Sequence, residues 1–269
     1  MKHCAVLGSP IVHSLSPVMH RAAYAELGLD WTYEAFEVSE DGLGTFLADL
    51  DDDWRGLSLT MPLKRIALGL VERCSEVATA VGVVNTILLG PDDGHGTGDN
   101  TDVPGTIAAL EERGLAELRT ARIIGGGATA TSIGHALATL GVTDLQLVVR
   151  DAARADETVR VARTAGAHVS VQSLEEPLVE KVDLLVSTIP GEAIGTRSHE
   201  LVQSARAAFD VVYEPWPSPI VTAAEQAGLP AVTGLDLLAH QAALQVQLMT
   251  GNSIGTDLLR EAALTALLS

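Results

Sequence analysis

Short apolar runs alternate along the chain with longer stretches whose apolar positions recur every three or four residues, which predicts βαβ units and mainly parallel sheets. In the first hundred residues, positions 3–7, 32–37, 56–59 and 84–89 read as strands. Between the first two, Ser16-Pro17 reads as an N-cap followed by a proline at the first helical position, opening a helix to about Leu27. A helix over about 103–113 leads to a strand at 121–124 that runs into Gly125-Gly126-Gly127. Then come a helix to Leu140, a strand at 145–149, a helix near 153–165, and strands at 182–187 and 208–212. A proline-rich turn from Glu214 to Pro219 follows, and two helices, about 235–249 and 253–268, flank Gly251. The pattern predicts an α/β protein of two domains. One spans 1–102 and is completed by a return of 239–269; the other spans 103–238.

A length of 269 residues is enough for two modest cores, and with only 3% aromatic residues these must be filled by Ala, Val and Leu. The formal charge of −18, with 17 basic residues against 35 acidic ones, argues against a nucleic-acid partner. It also makes each Arg or Lys near a loop a candidate for holding an anionic small molecule. Cys4 and Cys74 are too few for a disulfide framework or a cysteine-rich metal site, which fits a reducing compartment. The opening apolar run stops at Gly8, too short for a signal peptide, and no stretch approaches the roughly 18 apolar residues of a membrane span. The expectation is a cytoplasmic protein with no membrane partner and no metal; a homodimer is compatible with the sequence.

Strand, then Gly125-Gly126-Gly127-Ala128-Thr129-Ala130, then helix is the context in which a glycine turn lets backbone approach a pyrophosphate at a helix N-terminus. The same residues would also make a tight turn with no ligand. The next strand ends in Val149-Arg150-Asp151, with Arg154 one turn later. Arginine there favours the 2′-phosphate of NADP, and an acidic residue favours the free ribose hydroxyl of NAD. Arg150 and Arg154 can form a phosphate fork or remain solvated, with Asp151 pointing outward or pairing with one of them.

In the first hundred residues Ser14 and Ser16 stand two apart beside a helix start, where hydroxyls can hold a carboxylate or simply cap and turn. Lys64 follows Thr60-Met61-Pro62-Leu63, Asn85-Thr86 falls in the next strand, and Asn100-Thr101-Asp102 precedes a helix. Taken singly these are a solvated lysine and ordinary turn residues. Taken together, Ser14, Ser16, Thr60, Lys64, Asn85 and Asp102 all follow or end strands of one predicted parallel sheet, whose carboxyl-end loops converge on one crevice.

These segments resemble the shikimate dehydrogenase family. The resemblance lies in Ser14-Leu15-Ser16-Pro17, Thr60-Met61-Pro62-Leu63-Lys64, Gly82-Val83-Val84-Asn85-Thr86 and Asn100-Thr101-Asp102, then the glycine turn at Gly125, Val149 to Arg154, and Gly234 to Gln241. It covers essentially the whole chain. It implies an amino-terminal α/β substrate domain with a Rossmann-type dinucleotide domain, and reversible NADPH-dependent reduction of 3-dehydroshikimate to shikimate in aromatic amino acid and chorismate biosynthesis. By the same resemblance Lys64 is the acid/base catalyst paired with Asp102. Ser14, Ser16, Thr60, Asn85, Tyr213 and Gln241 surround the substrate, while Gly125, Gly126, Gly127, Ala128, Thr129, Arg150, Arg154, Val211 and Gly234 bind NADP. Glu76 matches a position sometimes associated with the cofactor.

The chain departs from the family pattern at Thr131, where a basic residue is frequent, at Val149 and Asp151 beside the arginine, and at Asp236, a polar insertion expected near the nicotinamide region. Asp151 keeps NAD open. The alternatives are a quinate/shikimate dehydrogenase using NAD and a non-catalytic metabolite sensor of the same fold. Retention of Lys64 with Asp102 argues against the sensor.

Overall fold

The computed structural model describes residues 1–90 and 96–269. The chain divides into two compact units, Met1–Gly105 with Leu238–Ser269, and Thr106–Leu237. It passes from one to the other inside two helices.

The first unit opens with β1 (Lys2–Gly8), α1 (Ser16–Glu26), β2 (Trp31–Glu37), α2 (Glu40–Ala48) and β3 (Trp54–Leu59). It continues with β4 (Arg73–Cys74), α3 (Glu76–Val81), β5 (Thr86–Leu88), β6 (Thr97–Asp99) and the start of α4 (Asp102–Glu112). Its sheet runs β2-β1-β3-β5-β6-β4. β1 is parallel to both β2 and β3, whereas β5 is antiparallel to β3 and to β6. The β4–β6 pair is parallel too, so the sheet is mainly parallel as expected, with β5 running against it. At β5 the convergence of the loops has a different reason. Because β5 runs backwards, its first residue, Thr86, pairs with Ser58 near the carboxyl end of β3 and with Asp99 at the carboxyl end of β6. Asn85 thus enters the crevice from the beginning of a strand.

The second unit holds β7 (Thr120–Ile124), α5 (Ala128–Thr139), β8 (Asp144–Val149), α6 (Asp156–Thr164), β9 (His168–Ser173) and β10 (Val182–Ser187). After these come α7 (Gly191–Ile194), α8 (Ser198–Gln203), β11 (Ala205–Asp210), α9 (Pro219–Gln226) and β12 (Ala231–Val232). Helices α10 (Gly234–Thr250) and α11 (Thr256–Leu267) end the chain, most of α10 and all of α11 lying in the first unit. The second sheet is ordered β12-β11-β10-β7-β8-β9, all pairs parallel. This is the doubly wound order, and its switch point lies between β7 and β10, beside the glycine turn. Ile123, Leu147, Leu184 and Phe209 of the central strands are buried against Ile133, Leu137 and Ala162 of α5 and α6. A buried Leu or Ile of this kind costs about 2–5 kcal/mol when cut to Ala.

Several element expectations need correction. Ser16 does not cap α1: Leu15 is the N-cap and no side chain closes the helix start. The Ser-Pro signal works instead at Ser218-Pro219, where the Ser218 hydroxyl accepts from Val221 N at 3.2 Å and opens α9 inside the expected turn. The predicted helix at 153–165 is a 3-10 turn (Ala152–Ala155) followed by α6, and the strand expected at 208–212 lies at Ala205–Asp210. Helix α2 was not anticipated because Gly42 and Gly44 each lower helix propensity by about 1 kcal/mol.

Candidate functional site

In the first unit the loops that follow β1 and β3 meet at the carboxyl ends of these two neighbouring strands. Thr60 N donates to Leu7 O at 2.9 Å and Ser9 N to Met61 O at 2.9 Å. Gly8 allows this, since a Cβ on it would collide with the Thr60 methyl. Ser14 is half-buried on the β1 loop, where its Oγ receives Ser16 N at 3.4 Å. Ser16 is 6% exposed. Thr60 ends β3, and the turn it starts, closed by Leu63 N on Thr60 O at 2.9 Å, carries Lys64.

Lys64 Nζ stands 2.6 Å from Asp102 Oδ2, with side chains only 13% and 6% exposed. Lys64 O accepts from Val84 N at 2.8 Å, which ties the lysine turn to the residue before Asn85. Asn85 Nδ2 donates to Asp102 Oδ1 at 2.8 Å and to Thr101 Oγ1 at 2.9 Å, and its Oδ1 accepts from Thr101 N at 2.8 Å. Asn100 caps α4 by accepting from Val103 N at 3.0 Å, so Asp102 lies in the first turn, where the helix end favours a carboxylate. Gln241 is brought in by a close helix approach. A Cβ on Gly105 of α4 would lie 3.0 Å from Gln241 N of α10. Gln241 Nε2 donates to Leu238 O at 3.0 Å, and its Oε1 lies 3.5 Å from Thr101 Oγ1. An ammonium held by a carboxylate in a nearly dry, hydrogen-bonded cluster can stabilise and protonate a developing oxyanion.

Sequence reasoning missed Thr86, Gln245 and Ser58, which lie behind this cluster. Gln245 follows Gln241 by four residues on α10 and so lies one turn along the same face, a spacing that was available in the sequence.

In the second unit the glycine turn is built for close approach. Gly125 has φ +120°, and a Cβ there would collide with the Thr188 hydroxyl. A Cβ on Gly126 would lie 2.7 Å from Arg154 O, so the turn after β8 packs directly on the glycine turn. Beside Gly127 nothing stands within 4 Å, and α5 starts there with no side-chain cap on its first N–H groups. Ala128 and Thr129 form its first turn. An open helix mouth over a tight glycine turn fits a dinucleotide pyrophosphate.

Arg150 and Arg154 are both exposed beside this turn. Asp151 neither simply points outward nor pairs with them as its main bond: its Oδ1 caps the 3-10 turn by accepting from Ala153 N at 3.1 Å. Thr131 is buried, its hydroxyl 2.7 Å from that of Thr158, and joins α5 to α6. Gly234 is a second close approach, since a Cβ there would lie 2.5 Å from Val211 O. Tyr213 is half-buried just beyond. Glu76 is exposed in the first turn of α3, in the first unit and not in the one with the glycine turn.

Asp236 closes the start of α10 with Thr233. Thr233 N and Oγ1 both donate to its Oδ2 at 2.9 Å, and Asp236 N returns a bond to Thr233 Oγ1 at 3.2 Å. Burial pushes this carboxyl up, but Arg113 at 2.8 Å and the Thr233 donors outweigh it and hold it below the usual range. Asp210, at the end of β11, is fully buried, and burial raises it to about 6 although Val212 N donates to its Oδ1 at 3.2 Å.

Among the described residues no group of three or more His, Cys, Asp or Glu is placed to hold a metal ion, and no helix is long and apolar enough to cross a membrane.

Comparison with known proteins accords with this geometry. The family model of the shikimate dehydrogenase substrate binding domain matches residues 6–87. A shikimate dehydrogenase (NADP(+)) of Trichormus variabilis is 32% identical, over 97% of this chain and 95% of that protein. The crystal structure of Mycobacterium tuberculosis shikimate dehydrogenase superposes with a TM-score of 0.88 at 35% identity, covering 99% of this chain and 100% of that one. The Thermus thermophilus shikimate 5-dehydrogenase in complex with NADP(H) and shikimate gives 0.83 at 32% identity, covering 99% and 100%. The chain therefore belongs to the shikimate dehydrogenase family.

Proposed function

We propose that this chain is an NADP-dependent oxidoreductase that interconverts 3-dehydroshikimate and shikimate, with Lys64 as acid/base catalyst and Asp102 as its partner. The carrying observation is the 2.6 Å Lys64–Asp102 contact inside a cluster of buried polar residues. A nicotinamide cofactor, when held by the glycine turn, would supply the hydride. Lys64 holds the proton at Nζ beside the carbonyl oxygen, stabilises the negative charge that grows there, and releases the proton to it; in the oxidative direction it takes the proton back. General acid catalysis of this kind contributes about 10² to 10⁴ in rate.

Asp102 already receives Asn85 on one oxygen and Lys64 on the other. Each carboxylate oxygen has a second lone pair, so Asp102 can also accept a substrate hydroxyl and orient the ring. Ser14 and Ser16 hold the substrate carboxylate, and Thr60, Asn85, Tyr213 and Gln241 complete the surround. The residues that hold the dinucleotide are Gly125, Gly126, Gly127, Ala128 and Thr129 at the pyrophosphate, Arg150 and Arg154 at the 2′-phosphate, and Val211 and Gly234 further along. In this reading residues 1–102 and 239–269 serve the substrate and 103–238 the cofactor. A reducing cytoplasm suits the free Cys4 and Cys74.

Steady-state oxidation of shikimate and of quinate, each with NADP⁺ and with NAD⁺, tests the assignment. The highest kcat/KM is expected for shikimate with NADP⁺; a clear preference for quinate with NAD⁺ contradicts it.

A further inference from the structure

Behind the lysine–aspartate pair a buried chain of side chains runs up to Asp102, and its four outer members have no part in the reaction proposed above. Tyr33 OH lies 2.5 Å from Ser58 Oγ, which lies 2.8 Å from Gln245 Oε1. Gln245 Nε2 lies 2.9 Å from Thr86 Oγ1, which lies 2.9 Å from Asn85 Oδ1. Asn85 Nδ2 then reaches Asp102 Oδ1. All six residues are at most 4% exposed. They come from β2, β3, α10, β5, the residue before β5, and α4.

The direction of every bond is fixed by groups that have no choice. Thr101 N can only donate, so the Asn85 atom 2.8 Å from it is the amide oxygen, and the atom facing Asp102 is the nitrogen. The Asn85 main-chain oxygen can only accept, so the Gln245 atom 3.3 Å from it is the nitrogen. Thr86 must therefore accept from Gln245 and donate to Asn85. Ser58 must donate to Gln245 Oε1, which engages its one proton, so Tyr33 donates to Ser58. Each donor points towards Asp102, and bonds aligned head to tail in a dry interior reinforce one another.

We propose that Thr86 and Gln245 are positioning residues: their one-directional hydrogen bonds lock the Asn85 amide with its nitrogen towards Asp102, and thereby aim the Asp102 carboxylate at Lys64. The inference rests on Lys64 and Asp102 being the reacting pair. Without the Thr86 hydroxyl, the Asn85 oxygen loses one of its donors and the Gln245 nitrogen loses an acceptor. The amide oxygen is then held only by Thr101, and rotation of the amide would turn that oxygen onto the carboxylate. A displacement of about 1 Å at reacting groups can cost on the order of 100-fold in rate.

The test compares Thr86→Val, which deletes the hydroxyl at nearly constant shape, with Thr86→Ser, which keeps it, alongside Gln245→Leu and Lys64→Met. Turnover of shikimate is expressed per NADPH-binding site, counted by fluorescence titration, so that misfolded protein does not enter kcat. The expected result is a fall in kcat of roughly 10- to 100-fold for Thr86→Val and Gln245→Leu. Thr86→Ser should stay within about threefold of the parent, since it restores the same bonds. Loss of turnover in Lys64→Met with kcat preserved in Thr86→Val and Gln245→Leu overturns the positioning role alone. Equal losses in Thr86→Val and Thr86→Ser overturn it as well, because the hydroxyl is then not the cause. Full turnover by Lys64→Met removes the acid on which it depends, and the inference falls with it.

Discussion

The ammonium of Lys64 and the carboxylate of Asp102 are held 2.6 Å apart although they are 38 positions apart in sequence and enter from different elements. Lys64 comes from the turn after β3 and Asp102 from the first turn of α4. A charge pair so nearly withdrawn from water is weak evidence for stability, because desolvation offsets much of the attraction. Its value lies in where it leaves a proton donor.

The serine loop should govern substrate binding more than turnover. Ser14→Ala removes a half-buried hydroxyl that does not touch the Lys64–Asp102 pair. A lost hydrogen bond to a charged group is worth about 1.5–3 kcal/mol, so KM for shikimate should rise roughly 10- to 100-fold with kcat little changed. A matching fall in kcat with KM unaltered would remove Ser14 from carboxylate binding.

At the cofactor turn two substitutions should behave differently. Arg150→Ala takes away an exposed guanidinium and should raise KM for NADP⁺ by roughly tenfold or more while leaving NAD⁺ nearly unchanged. Gly126→Ala puts a methyl 2.7 Å from Arg154 O and must displace the backbone. It should therefore weaken both cofactors together. Parallel losses of NADP⁺ and NAD⁺ in Arg150→Ala would reject its phosphate role.

Two buried groups give stability opposite slopes with pH. Burial raises Asp210 from 3.8 to about 6, so across that interval the native chain keeps a proton that the unfolded chain has lost. Its contribution falls as pH rises and levels off above about 6. Burial lowers His20 from 6.5 to about 4, opposed by its bond to Ser16 O, so there the unfolded chain binds the extra proton. The His20 contribution is complete above 6.5 and is lost as pH falls towards 4. Each effect is on the order of 1–3 kcal/mol. Urea unfolding of the parent, Asp210→Asn and His20→Phe between pH 4 and 7 separates them. The parent should lose ground to Asp210→Asn, and gain it over His20→Phe, as pH rises; pH-independent differences contradict both assignments.

Much of this fold was legible because its strongest elements are local. The run at 182–187 matches β10, and the glycine turn follows its strand as the pattern implies. What escaped was set by distant partners. The three-residue strands β5 and β6 carry too few positions to show a period, so their antiparallel pairing could not be read. Ser16 looked like a cap because a serine before proline usually is one, but the helix already includes it and Leu15 stands at the N-cap. Asp236 pairs with Arg113 across 123 positions, which no local pattern shows, although its reciprocal bonds with Thr233 have a capping-box spacing the sequence carries. Gln245 meets Thr86 across 159 positions, a contact that neither segment announces.

The most direct measurement is the single-turnover rate of 3-dehydroshikimate reduction by Lys64→Met at saturating NADPH, beside its melting temperature and NADPH affinity. If the Lys64 ammonium supplies the proton, the rate falls by about 10² to 10⁴ while fold and cofactor affinity persist. A rate within a few-fold of the parent would contradict the account.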